Sequence, residues 1–89
     1  MERKIVDDLS QVDFTDIKVP MAVIYKNSSD VPGKYVVRLW EAATGQPTNT
    51  EIRKDSLWEC RAAIMKGGNM SVRFERAPHD DQAIVESWI

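Results

Sequence analysis

The chain has a single cysteine, and this scarcity limits both its chemistry and the compartment expected for it. One thiol, Cys60, cannot form a disulfide within the chain, and disulfide frameworks are typical of secreted domains. The chain also lacks an apolar run as long as a signal peptide or a membrane span requires. We therefore expect a cytoplasmic protein with no membrane partner.

An excess of charge of one sign is lacking as well. Twelve Lys and Arg residues face fourteen Asp and Glu residues, for a formal net charge of −2. Binding to a phosphate backbone depends on a basic surface, so we expect no direct nucleic-acid partner. The acids concentrate near the start of the chain, which predicts an acidic N-terminal arm over residues 1–19 and a single domain over residues 20–89.

Glycine and proline are scarce, with four of each among 89 residues, while 43% of the residues are hydrophobic. This composition excludes disordered and collagen-like chains and is typical of a globular domain. A domain of this length buries only about 60–65% of its unfolded surface. The core is therefore small, and exposed apolar surface is informative.

Apolar runs and turn residues predict four strands and one helix, namely strands over residues 20–26, 34–42, 70–75 and 83–89 and a helix over 56–66. Ser56 and Glu59 form a capping box at the helix start, and Gly67 marks its end. Residues 43–49 are predicted to be a turn. In the third strand, alternation places Met70, Val72 and Phe74 on one face, as in a half-solvated strand.

The predicted fold class is α+β. Two hairpins and one helix make a two-layer domain in the order ββαββ, with a mostly antiparallel sheet of about four strands and the helix on one face. In the arm, Ile5, Leu9 and Val12 fit a short amphipathic helix, and residues 13–19 are predicted to be extended.

One short helix covers only part of such a sheet, so the other face is predicted to present bulky side chains that the N-terminal arm, a second copy or a partner covers. Trp40 and Trp88 are the strongest candidates because tryptophan is enriched at interface hot spots, whereas Trp58 is predicted to fill the core. The predicted interface comprises Val36, Arg38, Trp40, Arg73, Glu75 and Trp88.

Catalytic, cofactor-binding and metal-binding motifs are all weak. His79, Asp80 and Asp81 place a base beside two carboxylates, but zinc-ligand spacing is missing and a turn is the simpler interpretation. Cys60 shares a helix face with Leu57 and Ile64, which predicts a buried thiol and not a nucleophile. We therefore predict no catalytic residue, no metal and no cofactor.

Several segments together resemble a family of small uncharacterised bacterial proteins, some of them associated with phages and mobile elements. The resemblance covers about residues 21–89 and omits the acidic arm. It implies no activity and assigns no functional residue. The segments that resemble the family are 25–27, 32–39, 47–49, 72–76 and 80–89.

Three functions follow from these observations. The first is a non-enzymatic protein-binding or self-associating module, expected as a homodimer or a complex with another protein. The second is a phage-type inhibitor that blocks a host or defence nucleic-acid enzyme through acidic side chains. The third and weakest is a small metal-dependent enzyme using His79, Asp80 and Asp81. The acidic residues assigned to the inhibitor are Asp7, Asp8, Asp13, Asp16, Asp80 and Asp81.

Overall fold

The computed structural model describes residues 4–26, 33–67, 70–76, 78 and 83–89. Those residues form six strands and one α-helix, so the α+β class with one helix is confirmed, whereas the predicted count of four strands is wrong. The elements in chain order are β1 (Lys4–Ile5), a 3₁₀ turn (Leu9–Gln11), β2 (Pro20–Lys26), β3 (Tyr35–Glu41), β4 (Gln46–Lys54), α1 (Leu57–Lys66), β5 (Arg73–Glu75) and β6 (Ile84–Trp88).

All six strands belong to one sheet, in the order β1-β4-β3-β2-β6-β5. Every neighbouring pair is antiparallel except β1 and β4, which confirms the predicted mostly antiparallel sheet. The predicted first, second and last strands correspond to β2, β3 and β6. The loop predicted between the first two strands falls largely on residues 27–32, which lie outside the described residues.

Strand β4 corrects the turn predicted at residues 43–49. Residues 42–45 turn, with Gly45 at a φ of +70° that L side chains rarely adopt, and the chain then returns beside β3. The segment from Gln46 to Glu51 is polar and Ile52 is the residue of β4 that joins the core. The sequence of β4 therefore does not predict a strand. Among the described residues, β1 pairs with β4 only at Thr50 and Glu51 and not at Pro47, and proline is tolerated in a strand where its missing N–H leaves no ladder bond unmade.

The arm contains no amphipathic α-helix in the described residues, which corrects the prediction for Ile5, Leu9 and Val12. Lys4–Ile5 pairs in parallel with β4, and the chain then makes the 3₁₀ turn, for which the Asp8 carboxylate accepts a bond from the Ser10 N–H at 2.8 Å. Val6 and Leu9 are buried in the core, and three partly buried side chains pack against it: Val12, Phe14 and Ile17.

Glu41 fastens the end of the arm to β3. Its carboxylate accepts backbone N–H bonds from Lys18 at 2.6 Å, Val19 at 2.9 Å and Ala43 at 3.1 Å. These bonds, with that from Val19 foremost, favour the ionised form and hold the pKa of Glu41 below its ordinary value. The arm therefore enters β2 in a fixed position.

Helix α1 confirms the predicted capping box and the predicted stop. The Ser56 hydroxyl accepts the Glu59 N–H at 3.2 Å and donates to the Glu59 carboxylate at 3.1 Å. At the other end, a Cβ on Gly67 would lie 2.6 Å from Cβ of Leu9. Glycine is required there because the helix end contacts the 3₁₀ turn directly.

Strand β5 is shorter than predicted and is not half-buried. The backbone N–H groups of Ser71 and Val72 both donate to the carbonyl oxygen of Ile89 at 3.0 Å, which is the pattern of a β-bulge. The extra residue reverses the alternation, so Met70 lies in the core whereas Val72 and Phe74 are exposed. The predicted common face for these three residues is wrong for this reason.

The hydrophobic core lies on one side of the sheet, between the strands, helix α1 and the arm. The sheet contributes Ala22, Ile24, Val37, Leu39, Ile52 and Trp88, and the helix contributes Cys60, Ala63 and Ile64. No helix in the described part of the chain is long and apolar enough to cross a membrane.

Candidate functional site

The face of the sheet that points away from the core has no described helix packed on it, and we call it the helix-free face. Strand alternation assigns its side chains, because Ala22, Ile24 and Leu39 point into the core. Their neighbours Met21, Val23 and Trp40 therefore emerge on the opposite side. Val23 and Val36 are buried yet lie outside the core cluster, as expected for this face.

An unbroken line of apolar side chains crosses this face near one end of the sheet. Trp40 lies opposite Pro47 on β4 and opposite Met21 on β2. Ala22 lies opposite Trp88, so the next register position places Met21 beside Ile89, and Ile89 exchanges backbone hydrogen bonds with Val72. We call this line the apolar row, and its members are Pro47, Trp40, Met21, Ile89 and Val72.

Solvent reaches much of this row and the adjacent edge. Val72 is 49% exposed, Ile89 is 44% exposed, and Phe74, which lies opposite Ser87 on the same face, is 48% exposed. Exposed apolar side chains placed contiguously are typical of an interaction surface, whereas scattered ones are ordinary.

Trp40 has an unusual polar group. Its indole Nε1 is inaccessible to solvent and has no hydrogen-bond partner among the described residues. Buried indole N–H groups usually find an acceptor, and leaving one unpaired costs about 1–3 kcal/mol. The indole N–H of Trp40 is therefore an unused donor beneath the surface of this face.

Charged side chains border the apolar row. Arg38 lies opposite both Val23 and Glu51, and its Nε donates to the Thr48 carbonyl oxygen at 2.9 Å. Glu51 is buried, and the Arg53 guanidinium holds it with an N–O distance of 2.6 Å. The face thus combines apolar and aromatic side chains with arginines whose hydrogen bonds fix their positions.

The six predicted interface residues divide between the two faces. Val36, Arg38 and Trp40 lie on the helix-free face, where Arg38 and Trp40 are partly exposed and Val36 is buried. Arg73, Glu75 and Trp88 lie on the core side, because Arg73 pairs with Trp88 and Glu75 pairs with Glu86. The expectation of an exposed Trp88 is wrong, since its ring is 7% exposed and belongs to the core.

Trp88 and Arg61 instead hold a buried carboxylate, that of Glu86. The indole Nε1 donates to Glu86 Oε2 at 2.7 Å, and the Arg61 guanidinium donates to both carboxylate oxygens, at 2.8 and 3.1 Å. Burial disfavours the charge, but these hydrogen bonds outweigh burial and leave the pKa of Glu86 below its ordinary value. This network joins the helix to β6.

Trp58 is the second tryptophan that the structure corrects. It is 75% exposed on the helix and does not fill the core, and the Arg61 guanidinium lies 5.2 Å from its ring centroid. Ser56 caps the helix, so Leu57 is its first residue, and this phase points Leu57 and Cys60 inward and Trp58 outward.

The candidate chemical groups are dispersed. Asp8 and Asp13 accept hydrogen bonds from nearby Ser10 and Thr15, which lower the pKa of both carboxyls, and Asp7 and Asp16 are exposed. No group of three metal-ligating side chains occurs among the described residues. The remaining candidates, His79, Asp80 and Asp81, lie outside them.

Cys60 is buried, as predicted. None of its surface is exposed, and burial raises the pKa of its thiol to about 11. A thiol of this kind is protonated at neutral pH and is not a nucleophile.

No protein-family model, curated protein or solved structure matches the chain. The helix-free face is therefore the basis for a functional proposal. Five residues of this face are not among the predicted interface residues, namely Met21, Pro47, Val72, Phe74 and Ile89. Alternation around Ala22 and Ile24 points to Met21, but the bulge beside Val72 and the strand position of Pro47 have no local signal.

Proposed function

We propose that this chain is a small non-enzymatic protein-binding module whose partner contacts the helix-free face. The observation that supports this most strongly is the apolar row, which runs across β4, β3 and β2 to Ile89 and Val72, the residues that adjoin β6 and β5. Protein interfaces are enriched in aromatic residues, methionine and arginine, and this face presents Trp40, Met21 and Arg38 together.

Trp40 is the expected centre of the contact. Hot-spot residues are enriched in tryptophan and lie among neutral contacts that exclude water. Buried Cys60, with its protonated thiol, supports a binding role over a thiol-dependent reaction.

Affinity capture from cell lysate with matched tryptophan variants tests this proposal. The native chain and Trp58→Ala are expected to retain the same partner, because Trp58 lies on the helix. Trp40→Ala is expected to lose it, with a decrease in affinity of at least about 30-fold, as for a hot-spot residue.

A second substitution guards against loss of folding in Trp40→Ala. Val72→Asp places a charge in the apolar row at a half-exposed position, so the core is left intact. Circular dichroism should show both variants folded. Equal capture by the native chain, Trp40→Ala and Val72→Asp would refute the proposal, as would loss of capture in Trp58→Ala alone.

A further inference from the structure

Strand β5 ends the sheet as an exposed edge. Residues 71–76 are all exposed, and β5 pairs only with β6 in the described part of the chain. Val72 donates its N–H to Ile89 at 3.0 Å and accepts the Ile89 N–H at 2.9 Å. Because antiparallel pairs alternate, the backbone N–H and C=O groups of Arg73 and Glu75 point away from β6.

The side chains of this edge are self-complementary. If two copies of β5 lie antiparallel about a two-fold axis at Phe74, Arg73 of each copy lies opposite Glu75 of the other. Opposite charges placed directly across a strand pair stabilise it, whereas like charges destabilise it. Edge strands are often protected by lysines, which would repel a second copy, but this edge presents one charge of each sign.

Both charges are available for such pairing. Glu75 makes no ion pair or hydrogen bond through its side chain within the described residues. The Arg73 side chain is 45% exposed and approaches Glu86 only to 3.7 Å. Glu86 is already held by Arg61 and Trp88 at shorter distances.

We propose that a second copy of this chain adds to β5 as an antiparallel strand, with two reciprocal Arg73–Glu75 ion pairs. This inference goes beyond the proposed function, because the edge contact does not involve Trp40; it would place the helix-free faces of two copies side by side at Phe74. Four backbone hydrogen bonds would form across the axis. Three-residue strands bury little area, so the dimer belongs to the weak class below about 1,200 Å².

Charge exchange at the edge tests the pairing. Arg73→Glu places like charges at both cross-strand positions, and so does Glu75→Arg, so each variant alone should dimerise at least about tenfold more weakly than the native chain. A mixture of the two variants should form a heterodimer, because one copy then presents two acids and the other two bases. The double variant should dimerise like the native chain. Sedimentation measures the affinities, and native mass spectrometry identifies the heterodimer because the variants differ in mass.

A control variant on the opposite edge and a measurement of stability show whether a change in dimerisation comes from the β5 edge. Lys4→Glu changes a charge on β1, at the opposite edge of the sheet, and should leave dimerisation unchanged. Glu75→Arg removes no contact within one copy, so it should unfold at the native temperature. Failure of the mixed variants to pair, or single variants that dimerise as well as the native chain, would overturn the inference.

This outcome is separable from that of the proposed function. If charge exchange has no effect while Trp40→Ala still loses its partner, edge pairing is refuted and the helix-free face remains the binding surface. If the heterodimer forms while Trp40→Ala and Val72→Asp retain full capture, edge pairing stands and the helix-free face is refuted as the surface that binds the captured partner.

Discussion

At the scale of single residues, two strand carboxylates, Glu51 and Glu86, are almost completely buried on opposite sides of the sheet, and each is paired with arginine. Glu51 is held by Arg53 on the helix-free face, and Glu86 is held by Arg61 on the core side. A buried ion pair adds little net stability compared with well-packed apolar residues, but removing one partner leaves the other uncompensated. Such pairs therefore fix geometry more than they add stability.

Glu86→Gln should lower the free energy of unfolding by roughly 1–3 kcal/mol at pH 7, because the buried carboxylate loses its charge-assisted hydrogen bonds from the partly exposed Arg61 guanidinium. Urea unfolding measures the loss. Glu75→Gln is the matched control, since Glu75 lies directly opposite Glu86 on the same face but is exposed, and it should change stability little.

The stability difference between the native chain and Glu86→Gln depends on pH in a defined direction. The pKa of Glu86 is lowered on folding, so its ionised form stabilises the native state above its unfolded pKa. That contribution is lost as the pH falls through the native pKa. The difference between native chain and Glu86→Gln should therefore shrink on acidification, and a difference that stays constant down to pH 2 would contradict the assigned pairing.

The three tryptophans show how far residue identity alone predicts position. Trp88 is in the core, Trp40 is partly buried on the helix-free face, and Trp58 is mostly exposed on the helix. The same amphipathic ring suits all three environments. The positions of the three tryptophans are distinguished by the helix phase that Ser56 sets and by the register between β2 and β6.

At the scale of elements, local signals predicted α1, β2 and β3 well. The capping box and the alternation of apolar residues are properties of short segments, so sequence alone specifies them. Strand β4 and the β1 bridge depend on distant partners: β4 is polar at its start and is stabilised by pairing with β3, and Lys4–Ile5 is extended because it pairs with β4. The bulge at Ser71 also depends on a distant partner, because Ser71 and Val72 both bond to Ile89.

The contact between the helix end and the 3₁₀ turn can be tested at Gly67. Gly67→Ala should destabilise the fold by roughly 1–3 kcal/mol, because the added Cβ would overlap Leu9 and force a backbone shift. Thermal unfolding measures this. Met65→Ala, which truncates an exposed side chain of the same turn, should have a small effect, and an unchanged midpoint in Gly67→Ala would show that the arm does not pack there.

At the scale of the whole molecule, the two faces of the sheet are covered unequally. The arm packs on the same side as α1, through Val6, Leu9 and the partly buried side chains that follow, and so it adds to the core without covering the helix-free face. The sequence predicted such a face and three of its residues. It did not predict the apolar row, because that row depends on the register of five strands.

Oxidative footprinting of the chain bound to its captured partner tests most directly whether the helix-free face is the binding surface. Each side of the molecule has one methionine and one tryptophan that serve as reporters, Met21 and Trp40 on the helix-free face and Met65 and Trp58 on the helix. Binding should slow oxidation of Met21 and Trp40 and leave Met65 and Trp58 as reactive as in the free chain. Protection of Met65 and Trp58 with Met21 unchanged would contradict the proposal.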